Sequence, residues 1–156
     1  MKEKTNKTEL LQLVSFKIGD ELFGIDIHKV QEIIRMMPIT KIPSTPEFVE
    51  GIVNLRDKVI PVVNLRGRMG FPKADNSSDT RIIVVELHGK ITGFIVDEVR
   101  EVLRISEQIM DEPPAMVAGI DKKFITSVGK LETGLILFLN LDYVFEPEET
   151  AELILD

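Results

Sequence analysis

GIDIHKVQEIIR, from Gly24 to Arg35, aligns without a gap on GFIVDEVREVLR, from Gly93 to Arg104. Gly24/Gly93, Val30/Val99, Glu32/Glu101 and Arg35/Arg104 are identical, while Ile25/Phe94, Ile27/Val96, Ile33/Val102 and Ile34/Leu103 keep their apolar character. A shorter echo follows each copy, Val62-Val63-Asn64-Leu65 against Phe138-Leu139-Asn140-Leu141. An internal repeat of this kind means that one supersecondary unit occurs twice.

The residues around each copy read mainly as strands. Leu11–Ile18 alternates apolar and polar residues, turns at Gly19-Asp20 and continues in Glu21–Ile25, a hairpin pattern. Asp26 can cap a short helical turn through Gln31. Pro38, Pro43 and Pro46 mark an extended connection. Phe48–Leu55 and Lys58–Asn64 read as two strands about the turn Arg56-Asp57, with Pro61 placing the second at an edge or a bulge. Lys73–Thr80 is the most loop-like segment and separates the halves. Beyond it, Arg81–Leu87 and Lys90–Val96 form a second hairpin about His88-Gly89. Ser106–Gly119, with Pro113-Pro114, is a long connection; Phe124–Val128 and Gly134–Asn140 complete the strands; and Asn140 caps a closing helix from Leu141 to about Phe145. Many short strands in this order favour two small barrels that pack together and share a core.

Composition narrows the function. The 156 residues are 44% apolar and 29% charged, an ordinary globular balance, with a net charge of −7. That charge argues against broad binding to nucleic acid or anionic membrane. There is no cysteine, which removes disulfides and thiolate metal sites. The amino terminus lacks the apolar stretch of a signal peptide, and the apolar runs Ile82–Val85 and Leu135–Leu139 are too short to span a bilayer.

Catalysis finds no constellation to rest on. His28 and His88 belong to different halves and to no metal-ligand spacing, so each reads as solvated surface. Gly129–Gly134 lacks phosphate-loop spacing and reads as a hairpin turn. No cofactor and no metal are expected. What remains is surface. Val30, Ile33 and Ile34, and in the second copy Val99, Val102 and Leu103, exceed the needs of one core face. Because neighbours on a strand point to opposite faces, one of Ile33/Ile34 either seals the contact between the halves or lies exposed. An exposed set would make an apolar groove suited to a helix from another protein. Glu32 lies within reach of Arg56 if their strands pack, whereas Arg66 and Arg68 read as exposed, solubilising charge.

Four ordered motifs resemble the CheW family: FGIDIHKVQEI (Phe23–Ile33), IPSTPEFVEGIVNLR (Ile42–Arg56), VIPVVNLR (Val59–Arg66) and GFIVDEVREVL (Gly93–Leu103). The resemblance implies an all-β fold with short helices, two intertwined five-stranded small β-barrels related by the internal repeat. It implies a CheW-like domain over residues 10–146, with barrel halves at about 16–72 and 78–146 sharing the first strand. Residues 1–9 and 147–156 would be tails. It further implies a non-enzymatic adaptor that couples chemoreceptors to the histidine kinase CheA. The receptor's cytoplasmic tip would meet Val30, Glu32, Ile33, Arg56, Val99 and Val102, and the kinase's regulatory domain would meet Ile39, Ile42, Pro43, Phe48 and Gly51. Such a protein is cytoplasmic, monomeric outside the array and recruited to membrane-associated receptors without inserting itself. One departure stands out: Asp57 replaces the family's usual glycine after Asn-Leu-Arg, placing a carboxylate that competes with Glu32 for Arg56. The alternatives are a CheW-like module of a larger kinase or receiver-bearing adaptor, which Met1 and the acidic end disfavour, and a small-barrel nucleic-acid binder, which would need stacking aromatics in a basic groove.

Overall fold

The structure, a computed structural model, describes residues 10–45, 47–113 and 124–144. The expected tails, Phe145 and most of the connection after Pro113 lie outside these residues. The chain begins with β1 (Leu10–Ile18) and β2 (Glu21–Asp26), antiparallel about a turn where Gly19 has φ of 62°. Asp26 accepts the His28 N–H and caps a three-residue 3-10 turn, Ile27–Lys29, shorter than the turn expected through Gln31. Then follow β3 (Val30–Arg35), β4 (Val49–Leu55), β5 (Lys58–Asn64) and a four-residue helix α1 (Leu65–Arg68) capped by Asn64. The second half runs through β6 (Arg81–Leu87), β7 (Lys90–Val96), β8 (Glu98–Ser106), β9 (Met110–Asp111), β10 (Ile125–Leu131) and β11 (Gly134–Leu139). The expected closing helix is a 3-10 turn, Leu141–Tyr143, capped by Asn140.

These strands make two sheets, one ordered β8-β1-β2-β11-β10-β9 and the other β3-β6-β7-β5-β4. The first therefore has six strands rather than five, because the two-residue β9 adds to β10. Along the chain, β3 to β7 all belong to the five-stranded sheet, while β1, β2 and β8 to β11 belong to the other. Among the described residues the backbone thus crosses between sheets twice, at residues 27–29 and at Asp97.

Superposing the repeat explains the intertwining. With β1–β2 equivalent to β6–β7, β3 to β8, β4 to β10 and β5 to β11, the two sheets share one order. Each takes its hairpin from one copy and its other repeat strands from the other. The parallel junctions occupy matching registers, Phe138 opposite Gly24 and Val62 opposite Gly93. Both glycines stand at close approaches, the tighter at Gly93. A Cβ on Gly93 would lie 2.7 Å from Ile82 Cγ2, and one on Gly24 would lie 3.0 Å from Ile136 Cδ1.

Burial follows the same plan. Leu13, Ile105 and Ile136 fill the six-stranded unit, and Val53, Ile60, Val62, Ile82, Val84 and Ile95 fill the five-stranded one. A third and larger cluster, with Phe16, Phe23, Phe94 and Phe124, draws on both sheets and is the shared core. Strands serving two clusters are apolar on both faces, which is why Ile82–Val85 reads as a continuous run. Pro61 sits on interior strand β5, not at an edge; the ladder to β7 begins one residue later, at Val62. Among the described residues no ladder joins the end strands of either sheet, so neither is a hydrogen-bonded closed barrel. The ends of the five-stranded sheet nevertheless meet. Thr40, beyond β3, exchanges two 2.9 Å backbone hydrogen bonds with Ile52 of β4.

Candidate functional site

The segment β3 turns one face inward and one outward. Its pairing with β6 skips Gln31, a bulge that follows Val30 opposite Val85 and precedes Glu32 opposite Val84. Val30 is half-buried against the shared core, Ile34 packs into the five-stranded cluster, and Ile33 is 40% exposed. The second copy repeats this. Val99 packs against the shared core, Leu103 into the six-stranded cluster, and Val102 is 51% exposed. One residue of each apolar pair therefore turns in and the other faces solvent.

Beside Ile33 lies an ion pair that spans the two edges of the five-stranded sheet. Arg56 Nη1 donates to Glu32 Oε2 at 2.5 Å and Nη2 donates to Oε1 at 2.6 Å, a forked, bidentate contact. The β4–β5 turn aims the arginine. Arg56 and Asp57 have φ of 51° and 68°, the left-handed pair of a two-residue hairpin turn, and Asp57 meets that geometry in glycine's place. Both terminal nitrogens of Arg56 go to Glu32, so the competition expected from Asp57 does not occur. The Arg56 hydrogen bonds hold the Glu32 carboxyl below its ordinary range, and the carboxylate in turn raises Arg56. The pair lies at the surface, Arg56 being largely solvent-exposed. The repeat does not reproduce it: Glu101 stands where Glu32 does, and the β10–β11 turn carries Glu132-Thr133 where β4–β5 has Arg56-Asp57.

A second predicted surface lies on and after the connection from β3 to β4. Pro43 is exposed, Ile39 and Ile42 are half-buried, and Thr45 Oγ1 turns back to donate to the Ile42 carbonyl at 3.0 Å. Phe48 leans on the shared core with the Arg68 guanidinium 5.5 Å from its ring centre. Gly51 is buried, unlike its neighbours in this set. A Cβ there would collide with the Thr40 carbonyl oxygen and lie 2.6 Å from Ile39 Cγ2, so Gly51 shapes the surface from beneath.

Two arginines depart from expectation. The Arg66 side chain is only 15% exposed; it pairs with Asp97 at 2.9 Å, donates to the Pro72 carbonyl at 2.6 Å and lies 5.9 Å from the Phe71 ring centre. Arg68 is half-buried and donates to the Val144 carbonyl at 2.9 Å. Their partners lie from 5 to 76 residues away along the chain, and spacing alone gives no sign of the distant ones. Sequence reasoning also passed over Val59 and Leu135, each more than half exposed at matching places after the two hairpin turns. His28 is exposed and its Nδ1 lies 2.9 Å from Asp26, while His88 Nε2 lies 3.2 Å from the Asp142 carbonyl. No group of three metal-ligating side chains occurs among the described residues, and no helix there is long and apolar enough to cross a membrane.

Two interlocked sheets, exposed apolar residues at repeat-related positions and a forked ion pair tying two strand edges define a binding module, of the class that assembles other proteins. The description "CheW-like domain" matches residues 12–149, and the chain belongs to that family. It is 32% identical over 149 residues to the chemotaxis protein CheW of Treponema pallidum, covering 93% of this chain and 88% of that protein. To the chemotaxis protein CheW of Thermotoga maritima it is 33% identical, covering 94% and 95%. The crystal structure of the scaffolding protein TtCheW from Thermoanaerobacter tengcongensis matches with a TM-score of 0.82 and 43% identity, over 90% of this chain and 95% of that one. The chain is a chemotaxis scaffold of the CheW family, not an enzyme.

Proposed function

We propose that this scaffold couples the cytoplasmic tip of chemoreceptors to the regulatory domain of the histidine kinase CheA. The receptor tip lies along Ile33 and Val102, with Val30 and Val99 beneath and the Glu32–Arg56 pair at the margin. The kinase domain meets Ile39, Ile42, Pro43 and Phe48, over a floor fixed by Gly51. The observation that carries the receptor half is the paired exposure of Ile33 and Val102, whose inward neighbours both reach core clusters. An apolar residue that is exposed at both copies of a repeat, with its packing neighbours already satisfied, is available to a partner. In this reading the domain spans residues 10–146, acts as a monomer outside the array and reaches the membrane only through the receptors.

The test is capture by a receptor signalling tip. Val102→Glu and Ile33→Glu, each placing a charge on a solvent-facing strand position, are expected to leave thermal unfolding within about 1 kcal/mol of wild type. Each is expected to weaken receptor capture at least tenfold, about 1.4 kcal/mol or more. Folded variants that both bind receptor as wild type does would overturn the groove.

A further inference from the structure

We infer that Arg66 and Asp97 are positioning residues that set the angle between the two sheets, and with it the spacing of Ile33 from Val102. Two crossings join the sheets among the described residues, and an ion pair pins each. At the second, Asp97 stands between β7 and β8. Its Oδ2 accepts the Gly19 N–H at 2.8 Å and the Arg66 Nη2–H at 2.9 Å, and its own N–H donates to the Lys17 carbonyl at 3.1 Å. Lys17 and Gly19 belong to the β1–β2 hairpin of the six-stranded sheet, whereas Arg66 follows β5 of the five-stranded one. Asp97 therefore ties both sheets to the strand that passes between them.

The arginine is held in turn. Pro72 accepts its Nη1–H, and Phe71, beside its guanidinium, meets Phe23 edge-on with ring centres 6.2 Å apart. At the first crossing an ion pair of opposite polarity stands close by, its crossing residue one position beyond the repeat equivalent of Asp97, which is His28. Lys29 Nζ lies 3.2 Å from Asp142 Oδ2, and Asp142 stands after β11 where Arg66 stands after β5. Lys29 is 43% exposed at its side chain against 15% for Arg66, so solvent screens the first pin more than the second. Ile33 lies on β3, in the first strand after the first crossing, and Val102 on β8, in the first strand after the second. Because β3 and β8 belong to different sheets, a hinge motion between the sheets moves Ile33 relative to Val102.

The effect on binding rests on the groove proposed above, but the positioning role does not, and one experiment separates them. Spin labels at Ile33→Cys and Val102→Cys report the distance by pulsed electron resonance, while receptor-tip affinity is measured on unlabelled protein. In Arg66→Ala the distance distribution is expected to broaden or shift, and affinity to fall about fivefold. Asp97→Asn, which keeps an oxygen for the Gly19 N–H, should show a smaller change in the same direction and serves if Arg66→Ala does not fold. Lys29→Ala is expected to alter the distribution less than either. An unchanged distribution in a folded Arg66→Ala or Asp97→Asn protein overturns the inference. A shifted distribution with wild-type affinity supports the positioning role and removes the groove reading instead.

Discussion

Glycine 51 shows how one missing carbon can decide a local structure. With φ of 156° and the Thr40 carbonyl where a Cβ would stand, it allows the paired hydrogen bonds between Thr40 and Ile52 that bring the sheet ends together. Gly51→Ala must move backbone rather than a flexible tip. The expected cost is about 2 kcal/mol or more, measured by urea unfolding. Glu32 carries a different prediction. Its carboxyl is held below its ordinary value by the Arg56 hydrogen bonds, so its stabilising contribution is complete above about 4.5 and is lost as pH falls through the lower folded-state value. A carboxyl-carbon titration of Glu32 by NMR should give a midpoint below the ordinary one. In Arg56→Ala the midpoint should return to it; a midpoint indifferent to that change would dissolve the pair in solution. Of these residues, the reach from Glu32 to Arg56 was legible, because a strand and a turn in one unit bring few alternatives together. Gly51 looked like part of a contact surface, since no local pattern reports that another backbone presses on it. Arg66 looked solvated for a similar reason: Asp97 lies far away in sequence.

At the scale of elements, the two hairpins adopt one register with different contents. In β1–β2, Phe16 stands opposite Phe23, their rings stacked 5.8 Å apart; at the equivalent places in β6–β7, Val85 stands opposite Thr92. Thr92 is 1% exposed, and its hydroxyl has no hydrogen-bond partner among the described residues. Thr92→Val keeps the β-branched shape and removes the stranded oxygen. It is expected to raise stability by about 1 kcal/mol in thermal unfolding; a loss of similar size would mean that the hydroxyl is satisfied in solution. Eight strand positions were readable from alternation and turn residues, with ends shifted, whereas β3 begins inside the segment read as a helical turn and β8 was given no range. The pairing was less so. Aligning the copies says that each holds a hairpin and three further strands, but a parallel contact such as β2 with β11 leaves no local trace. The sequence therefore suggested intertwining without saying which hairpin changes places, and it offered no sign of the two-residue β9.

For the molecule as a whole, the exchange of hairpins makes each sheet depend on both copies. Pro72 to Asp79 is exposed, and cutting there leaves one piece with β1 to β5 and another with β6 to β11. Neither piece contains a complete sheet. Limited proteolysis in that loop should thus give two bands on a denaturing gel that travel as one species in native gel filtration, and separation of the fragments would contradict the pairing described. The absence of the Glu32–Arg56 pair from the second copy has a consequence of its own. Where a guanidinium meets a carboxylate on one side of the pseudo-symmetric body, the other side carries Glu101 and Glu132. A body built from two like halves is thereby given a front and a back. A partner that approaches it turned end for end finds two negative charges where the correct approach finds a neutralised pair, so polarity is written on a nearly symmetric frame by a single altered turn.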